Sequence, residues 1–406
     1  MPLNTIAKAV GTPCYVYSSA TLNRHFEVFQ APLVASETDH IICYAMKANS
    51  SLAILDLLVR AGSGFDIVSG GELYRALQAG ANPRKIVYSG VGKLSHEIQA
   101  ALNANILMFN VESADELERI QEVAQAMDKV APIALRVNPD IDPKTHPYIS
   151  TGLYESKFGI DIRDAFAVFE RAKTLSHIEV VGVDCHIGSQ ITKMQPFLDA
   201  LARIKTLVQD LQKQGFQIRY LDMGGGLGIP YDAEEPPLPS EYTQAIVERT
   251  RDLDCTLIFE PGRVIAGNAG VLLTEVQYLK QNREKRFVIV DTGMHHLIRP
   301  TLYHAYQAVQ AVNPREGAGF VADLVGPICE SGDYLAKDRH LPEVQQGDLL
   351  ALMSAGAYGY SMASFYNSYA RPAEVLVKGD QYALIRERDT LEDLVRGERL
   401  PHFDGE

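Results

Sequence analysis

The residues best able to do chemistry sit in short motifs, and most of these motifs end an apolar run. Lys47 lies in YAMKAN, Asp66 and Ser69 in FDIVS, Ser89 after KIVY and Glu112 after ILMFNV. Arg136 and Asn138 end PIALRVN, His186 ends VGVDCH, Gly224 to Gly226 end YLDMGGG, and Glu260 and Arg263 belong to EPGR. A lysine amine held among apolar neighbours gives up its proton more readily than one in water, and can then attack a carbonyl. Glycines directly after a strand let backbone N–H groups close on an anion, to which Arg263 adds charge.

Positioning these groups requires a scaffold that delivers many strand ends to one place. Eight strand-like runs alternate with amphipathic stretches, at 41–48, 65–69, 85–90, 106–111, 132–138, 181–188, 220–226 and 256–262. Most are apolar throughout, as parallel strands covered on both faces are. Between them, Ser113 and Glu116 have capping-box spacing, followed by Leu117, Ile120, Val123 and Met127 on one helical face. Phe197, Leu201, Ile204, Val208 and Leu211 form a second such stripe, and Gly62 and Gly80 follow helical patterns where a terminating glycine belongs. Eight such units over 30–275 match the ~250 residues of a (β/α)8 TIM barrel. The competing open doubly wound sheet lacks its dinucleotide fingerprint, because Ile229 stands where the third glycine should be.

From about residue 280 the helices thin out and strand-like runs appear at 287–293, 348–358, 373–379 and 382–388, the last two flanking Gly379-Asp380, a hairpin turn. The reading is an α/β protein whose barrel carries a second, mainly antiparallel β domain, built from 1–29 and 276–406 with the strand-like 13–19 joining it.

Barrels work at the C-terminal ends of their strands, and often bind phosphate after strands seven and eight. GGGLG and EPGR occupy that place, and Lys47 ends strand one. A Schiff-base lysine beside a phosphate site points to pyridoxal 5'-phosphate (PLP). The ring nitrogen of that cofactor needs a charged partner, for which Glu260 is the carboxylate in position.

Composition excludes other classes. The chain has 406 residues, 46% hydrophobic and 22% charged, as folded globular proteins do. Its net charge of −13 repels phosphate backbones and anionic lipid, so neither a nucleic-acid nor a membrane partner is expected. No apolar run reaches the ~18 residues of a membrane span, and MPLNTIAKAV lacks a signal core, which makes the cytoplasm the expected location. The five scattered cysteines form no C-x-x-C pair, and H-E-x-x-H, Walker A and G-x-S-x-G motifs are missing, so no metal site is expected.

At the level of motifs the chain resembles the diaminopimelate decarboxylases, of the alanine racemase and ornithine decarboxylase fold class. Matching blocks include YAMKAN, GFDIVSGGEL, RVNPD, HIGSQ, DMGGGLGIPY, EPGR, HLIRPTLYHAY, VGPICESGD, AGAYGYSMASFYNS and RPAEVLV, nearly end to end. The resemblance implies PLP bound by Lys47, with His186 stacked on the ring, Gly225, Gly226, Gly262, Arg263 and Tyr358 around phosphate and ring, and Glu260 at the ring nitrogen. It implies an amino-acid substrate held by Arg263, Arg299, Tyr303, Glu330 and Tyr358, and Cys329 as proton donor from the other subunit of a homodimer with shared sites. The implied reaction turns meso-2,6-diaminopimelate into L-lysine and CO2, the last step of lysine formation. Arginine suits the distal carboxylate and Glu330 the distal ammonium, whereas ornithine would need only the acid.

Arg299 and Tyr303 share a face if the segment around Pro300 is helical. Pro139 to Ile160 has no clear element and is expected to be a lid. Val264 stands where many relatives have serine, and His295-His296 replaces more usual residues. A decarboxylase of ornithine, arginine or carboxynorspermidine is the alternative, followed by a racemase or a noncatalytic PLP-binding protein.

Overall fold

The computed structural model describes residues 1–143 and 157–401. The chain forms two compact units, Ser19–Ala269 and the pair of segments Met1–Ser18 and Gly270–Glu406.

In the first unit, eight parallel strands run His40–Ala45, Gly64–Ile67, Ile86–Tyr88, Met108–Val111, Ala131–Asn138, Ile178–Asp184, Tyr220–Asp222 and Thr256–Phe259. Each pairs with the next, and the eighth pairs back on the first through Ile258↔Ile41, closing the barrel. All eight coincide with the runs expected from the sequence. Helices cover the outside: Phe197, Leu201, Ile204, Val208 and Leu211 of Gln195–Lys213 are buried together. Gly62 and Gly80 follow their helices at φ 92 and 81, the left-handed geometry that ends a helix.

One expected cap is only half formed. Ser113 Oγ accepts the Glu116 N–H at 3.2 Å, but the Glu116 carboxylate turns away from Ser113 to the Glu112 N–H and to the buried Lys93 ammonium, 2.6 Å away. A fully buried cation requires that partner more than the helix end does.

The helix Ser19–Ala35 belongs with the barrel, although 1–29 was expected in the β domain: Phe29 packs against Tyr242 and Phe259, with ring centroids 6.0 and 5.7 Å away. At the other border Gly270–Leu273 pairs with Cys14–Tyr17 in the second unit, where the sequence reading ran the barrel on to 275.

That second unit is one nine-stranded, mainly antiparallel sheet with two parallel pairings, Cys14–Ser18 on Ala373–Lys378 and Lys285–Val290 on Phe320–Val325. The Gly379-Asp380 turn joins Lys378 to Gln381 in register. The sequence reading missed Gly270–Asn282, Val309–Ala311, Phe320–Val325 and Tyr334–Leu341, strands whose polar faces break the apolar pattern. Within the expected lid, Ile160 pairs with Val137, while 144–156 lie outside the described residues. No helix among the described residues is long and apolar enough to cross a membrane.

Candidate functional site

In the barrel unit, alternation along the strands sends Asp66, Asn110, Asp184 and Asp222 inward, and Ser89 and Glu260 join them just past their strands; all six are buried. Lys47 extends from the turn that follows the first strand, and its Nζ lies 2.5 Å from Asp66 Oδ2. The Asn110 amide nitrogen donates to Asp222 Oδ2 and to Glu260 Oε1, both at 3.3 Å, and to Ser89 Oγ at 3.1 Å. Ser89 Oγ in turn donates to Glu260 Oε1 at 3.3 Å.

Carboxylates this close cannot all be charged. Oxygens of Asp184, Asp222 and Glu260 lie within 4.8 Å of one another. Burial, then the charges of Asp222, Asp66 and Asp184, push the Glu260 pKa well above the usual carboxyl range, against the pull of Lys47. Burial raises Asp222 to about 6, opposed by the Gly224 N–H and the Asn110 amide. The arrangement holds protons in a dry site, as groups that must keep a hydrogen bond to a buried partner do.

His186 follows the sixth strand. Its Nδ1 accepts the Gly225 N–H at 3.0 Å, which leaves the ring hydrogen on Nε2. Burial, and after it the charges of Arg136 and Lys47, drive the His186 pKa well below 6.5, so the ring is neutral. Arg136 is held by Glu112 at 2.8 Å and reaches the His186 carbonyl at 3.4 Å.

The glycine run is needed for close approach of chains. A Cβ at Gly225 would stand 2.2 Å from the Glu260 carbonyl oxygen, and one at Gly226, where φ is 104, 2.4 Å from that of Gly188. Gly262 precedes a short helix, Arg263–Ala266, and Arg263 is buried with its guanidinium donating to Tyr231 Oη at 2.7 Å and Ser189 Oγ at 2.8 Å. The structure therefore gathers Lys47, His186, Gly225, Gly226, Glu260, Gly262 and Arg263 at the C-terminal ends of the barrel strands.

The remaining expected residues lie in the second unit. Arg299–Tyr303 is helical, as the proline near its start suggested, with Arg299 buried and Tyr303 half-buried. Arg299 Nη1 donates to the Gln307 amide oxygen at 2.5 Å. Cys329 and Glu330 are exposed; the Cys329 N–H donates to Asn367 Oδ1 at 2.8 Å and Glu330 Oε2 accepts from Tyr366 Oη at 2.6 Å. Tyr358 is half-buried, with a φ of 56.

The sequence reading passed over Asn110, Asp184 and Asp222. Their signal is a polar side chain inside an otherwise apolar strand, two positions before Glu112, His186 and Gly224 in FNVE, VDCH and LDMGGG.

Comparisons with known proteins complete the description. The family described as "Pyridoxal-dependent decarboxylase, pyridoxal binding domain" matches residues 19–267. The diaminopimelate decarboxylase of Pseudomonas aeruginosa is 55% identical over 98% of this chain and 95% of its own length. That of Vibrio cholerae is 52% identical over 97% and 94%. The crystal structure of diaminopimelate decarboxylase from Helicobacter pylori complexed with L-lysine superposes with a TM-score of 0.93 at 44% identity, over 97% of this chain and 98% of that one.

Proposed function

The chain belongs to the diaminopimelate decarboxylase family of pyridoxal-dependent decarboxylases, and from that premise we propose how its residues divide the work. It is a PLP-dependent carboxy-lyase whose reaction takes meso-2,6-diaminopimelate to L-lysine and CO2.

The barrel residues fit the cofactor. An amine at Lys47, a glycine cradle too tight for side chains at Gly225 and Gly226, and a buried carboxyl at Glu260 are what an anionic aldehyde with a basic ring nitrogen requires. Lys47 would hold it through Nζ, with Gly225, Gly226, Gly262, Arg263 and Tyr358 around the phosphate and the neutral His186 ring against its face. When bound, PLP supplies the electron sink that loss of carbon dioxide demands. Glu260 keeps a proton at the ring nitrogen, and Ser89 and Asn110 hold its oxygen in place.

Arg263, Arg299, Tyr303 and Tyr358 bind the substrate; Arg299 takes its distal carboxylate and Glu330 its distal ammonium. The Cys329 thiol delivers the proton that replaces the departing carboxylate. We further propose a homodimer in which Cys329 and Glu330 complete the partner's site. Exposed Phe365, Tyr366 and Tyr369 support this: Tyr366 donates to Glu330, its neighbour Asn367 accepts the Cys329 N–H, and aromatic surface of that kind marks interfaces. A small amino-acid substrate, an assembly acting in the cytoplasm, and domain borders close to 19 and 270 complete the proposal.

The observation that carries it is the Asn110-bridged, proton-holding Glu260 in the barrel whose first strand leads into Lys47. The test is CO2 release from meso-2,6-diaminopimelate, ornithine, arginine and carboxynorspermidine: diaminopimelate should dominate, and faster release from ornithine would overturn the assignment of Arg299.

A further inference from the structure

Asp333 ends the motif CESGD, and unlike the exposed Cys329 and Glu330 it is only 4% exposed. A buried carboxylate needs donors, and this one finds them in two backbone groups from different parts of the chain. Oδ1 accepts the Met294 N–H at 2.6 Å and Oδ2 accepts the Ile328 N–H at 2.7 Å.

The surroundings leave room for little else. A Cβ at Gly293 would lie 2.4 Å from Asp333 Oδ1, and one at Gly326 would lie 2.5 Å from Oδ2 and 2.6 Å from the Thr292 carbonyl oxygen. The two segments meeting there extend from parallel neighbours, Lys285–Val290 and Phe320–Val325, whose ladder ends at Ile289↔Val325. Beyond that point the backbones have no further rungs, and Asp333 joins them instead. A second tie lies alongside, where Thr301 Oγ1 donates to the Gly332 carbonyl at 2.7 Å. The first segment carries Arg299 and Tyr303 and the second carries Cys329 and Glu330.

We propose that Asp333 is a positioning residue for the decarboxylation: its two oxygens clasp the segment that bears Arg299 and Tyr303 to the segment that bears Cys329 and Glu330. Because Cys329 and Glu330 complete the partner's site, the clasp fixes how this chain presents the thiol and the carboxylate to that site, relative to the segment that binds substrate through Arg299 and Tyr303. This rests on the assignment of those four residues to the substrate. As a positioning residue, Asp333 acts through the two amides it accepts from.

The experiment compares holoenzyme variants in steady-state kinetics, cofactor absorbance and thermal melting. Asp333→Asn keeps the size of the side chain but turns an NH2 group toward one of the two N–H donors. It should raise KM for diaminopimelate tenfold or more, lower kcat, and slow the reaction of Cys329 with iodoacetamide or remove its protection by L-lysine, with cofactor absorbance unchanged. Thr301→Val, which loses only the second tie, should move KM in the same direction by a smaller factor without changing the melt. Wild-type kinetics in Asp333→Asn would overturn the clasp. So would a low melting point in Asp333→Asn together with wild-type KM in Thr301→Val, which makes Asp333 a purely structural residue. A Cys329→Ala control separates the two layers: full turnover in that variant sinks the underlying site assignment, whereas lost turnover there with a silent Asp333→Asn sinks the clasp alone.

Discussion

Lys47 Nζ and Asp66 Oδ2 stand 2.5 Å apart, so the amine of the first barrel turn is neutralised by a carboxylate that is itself wholly buried. An incoming aldehyde must displace that contact before it can reach the amine. In the cofactor-free protein, Asp66→Asn should therefore capture PLP faster than the wild type. Stopped-flow absorbance measures it, and equal capture rates for the two proteins would refute the pairing's role.

Glu260 leads to a second expectation. Its oxygen is held by Ser89 and Asn110 and burial keeps its pKa high, which preorganises the group before any ligand arrives. Glu260→Gln preserves the shape and the hydrogen-bond length but removes the acid. Turnover should fall about 10²- to 10³-fold, the scale seen when one preorganised electrostatic group is lost, while bound cofactor per subunit stays at the wild-type level. A loss of cofactor in proportion to activity would mean that Glu260 serves binding alone.

Much of this was legible beforehand, for identifiable reasons. Barrel strands are buried on both faces, so runs such as IICYA and TLIF stand out, and all eight were found. The half-exposed strands of the second unit do not: Tyr334–Leu341 carries Lys337, Asp338 and Arg339 in its middle, and its buried and exposed side chains follow no regular alternation. Lys47, His186 and Glu260 were visible because each ends an apolar run. Asn110 and Asp222 were hidden because a polar residue within a strand acquires meaning only when the barrel closes and brings strands four and seven face to face. The border at Ser19 was misjudged because the Ser19–Ala35 helix shows its allegiance through Phe29 and its ring partners, which lie more than two hundred residues away in sequence.

His295 and His296 lead to a third expectation. Burial lowers His295 to about 4, and burial first, then His295, lowers His296 to about 3. Both ring nitrogens of His295 lack a hydrogen-bond partner among the described residues. The unfolded chain binds protons at these sites from about pH 6.5 downward, and the folded chain does not until about 4 and 3. Their contribution to stability is thus whole above pH 6.5, falls between 6.5 and about 4, and is spent by about 3. Melting temperatures recorded from pH 7.5 to 4.5 should decline less steeply in His295→Leu than in the wild type; parallel declines would show that this ring already has a proton or a partner in the fold.

The account's central claim is that the side chain of Lys47 carries the cofactor covalently, and one measurement addresses it directly. Protein incubated with pyridoxal phosphate, reduced with borohydride and digested should yield a single pyridoxyl-modified peptide spanning YAMKAN, with the Lys47→Ala protein unlabelled. Modification of a different lysine at equal stoichiometry, with position 47 untouched, would contradict it.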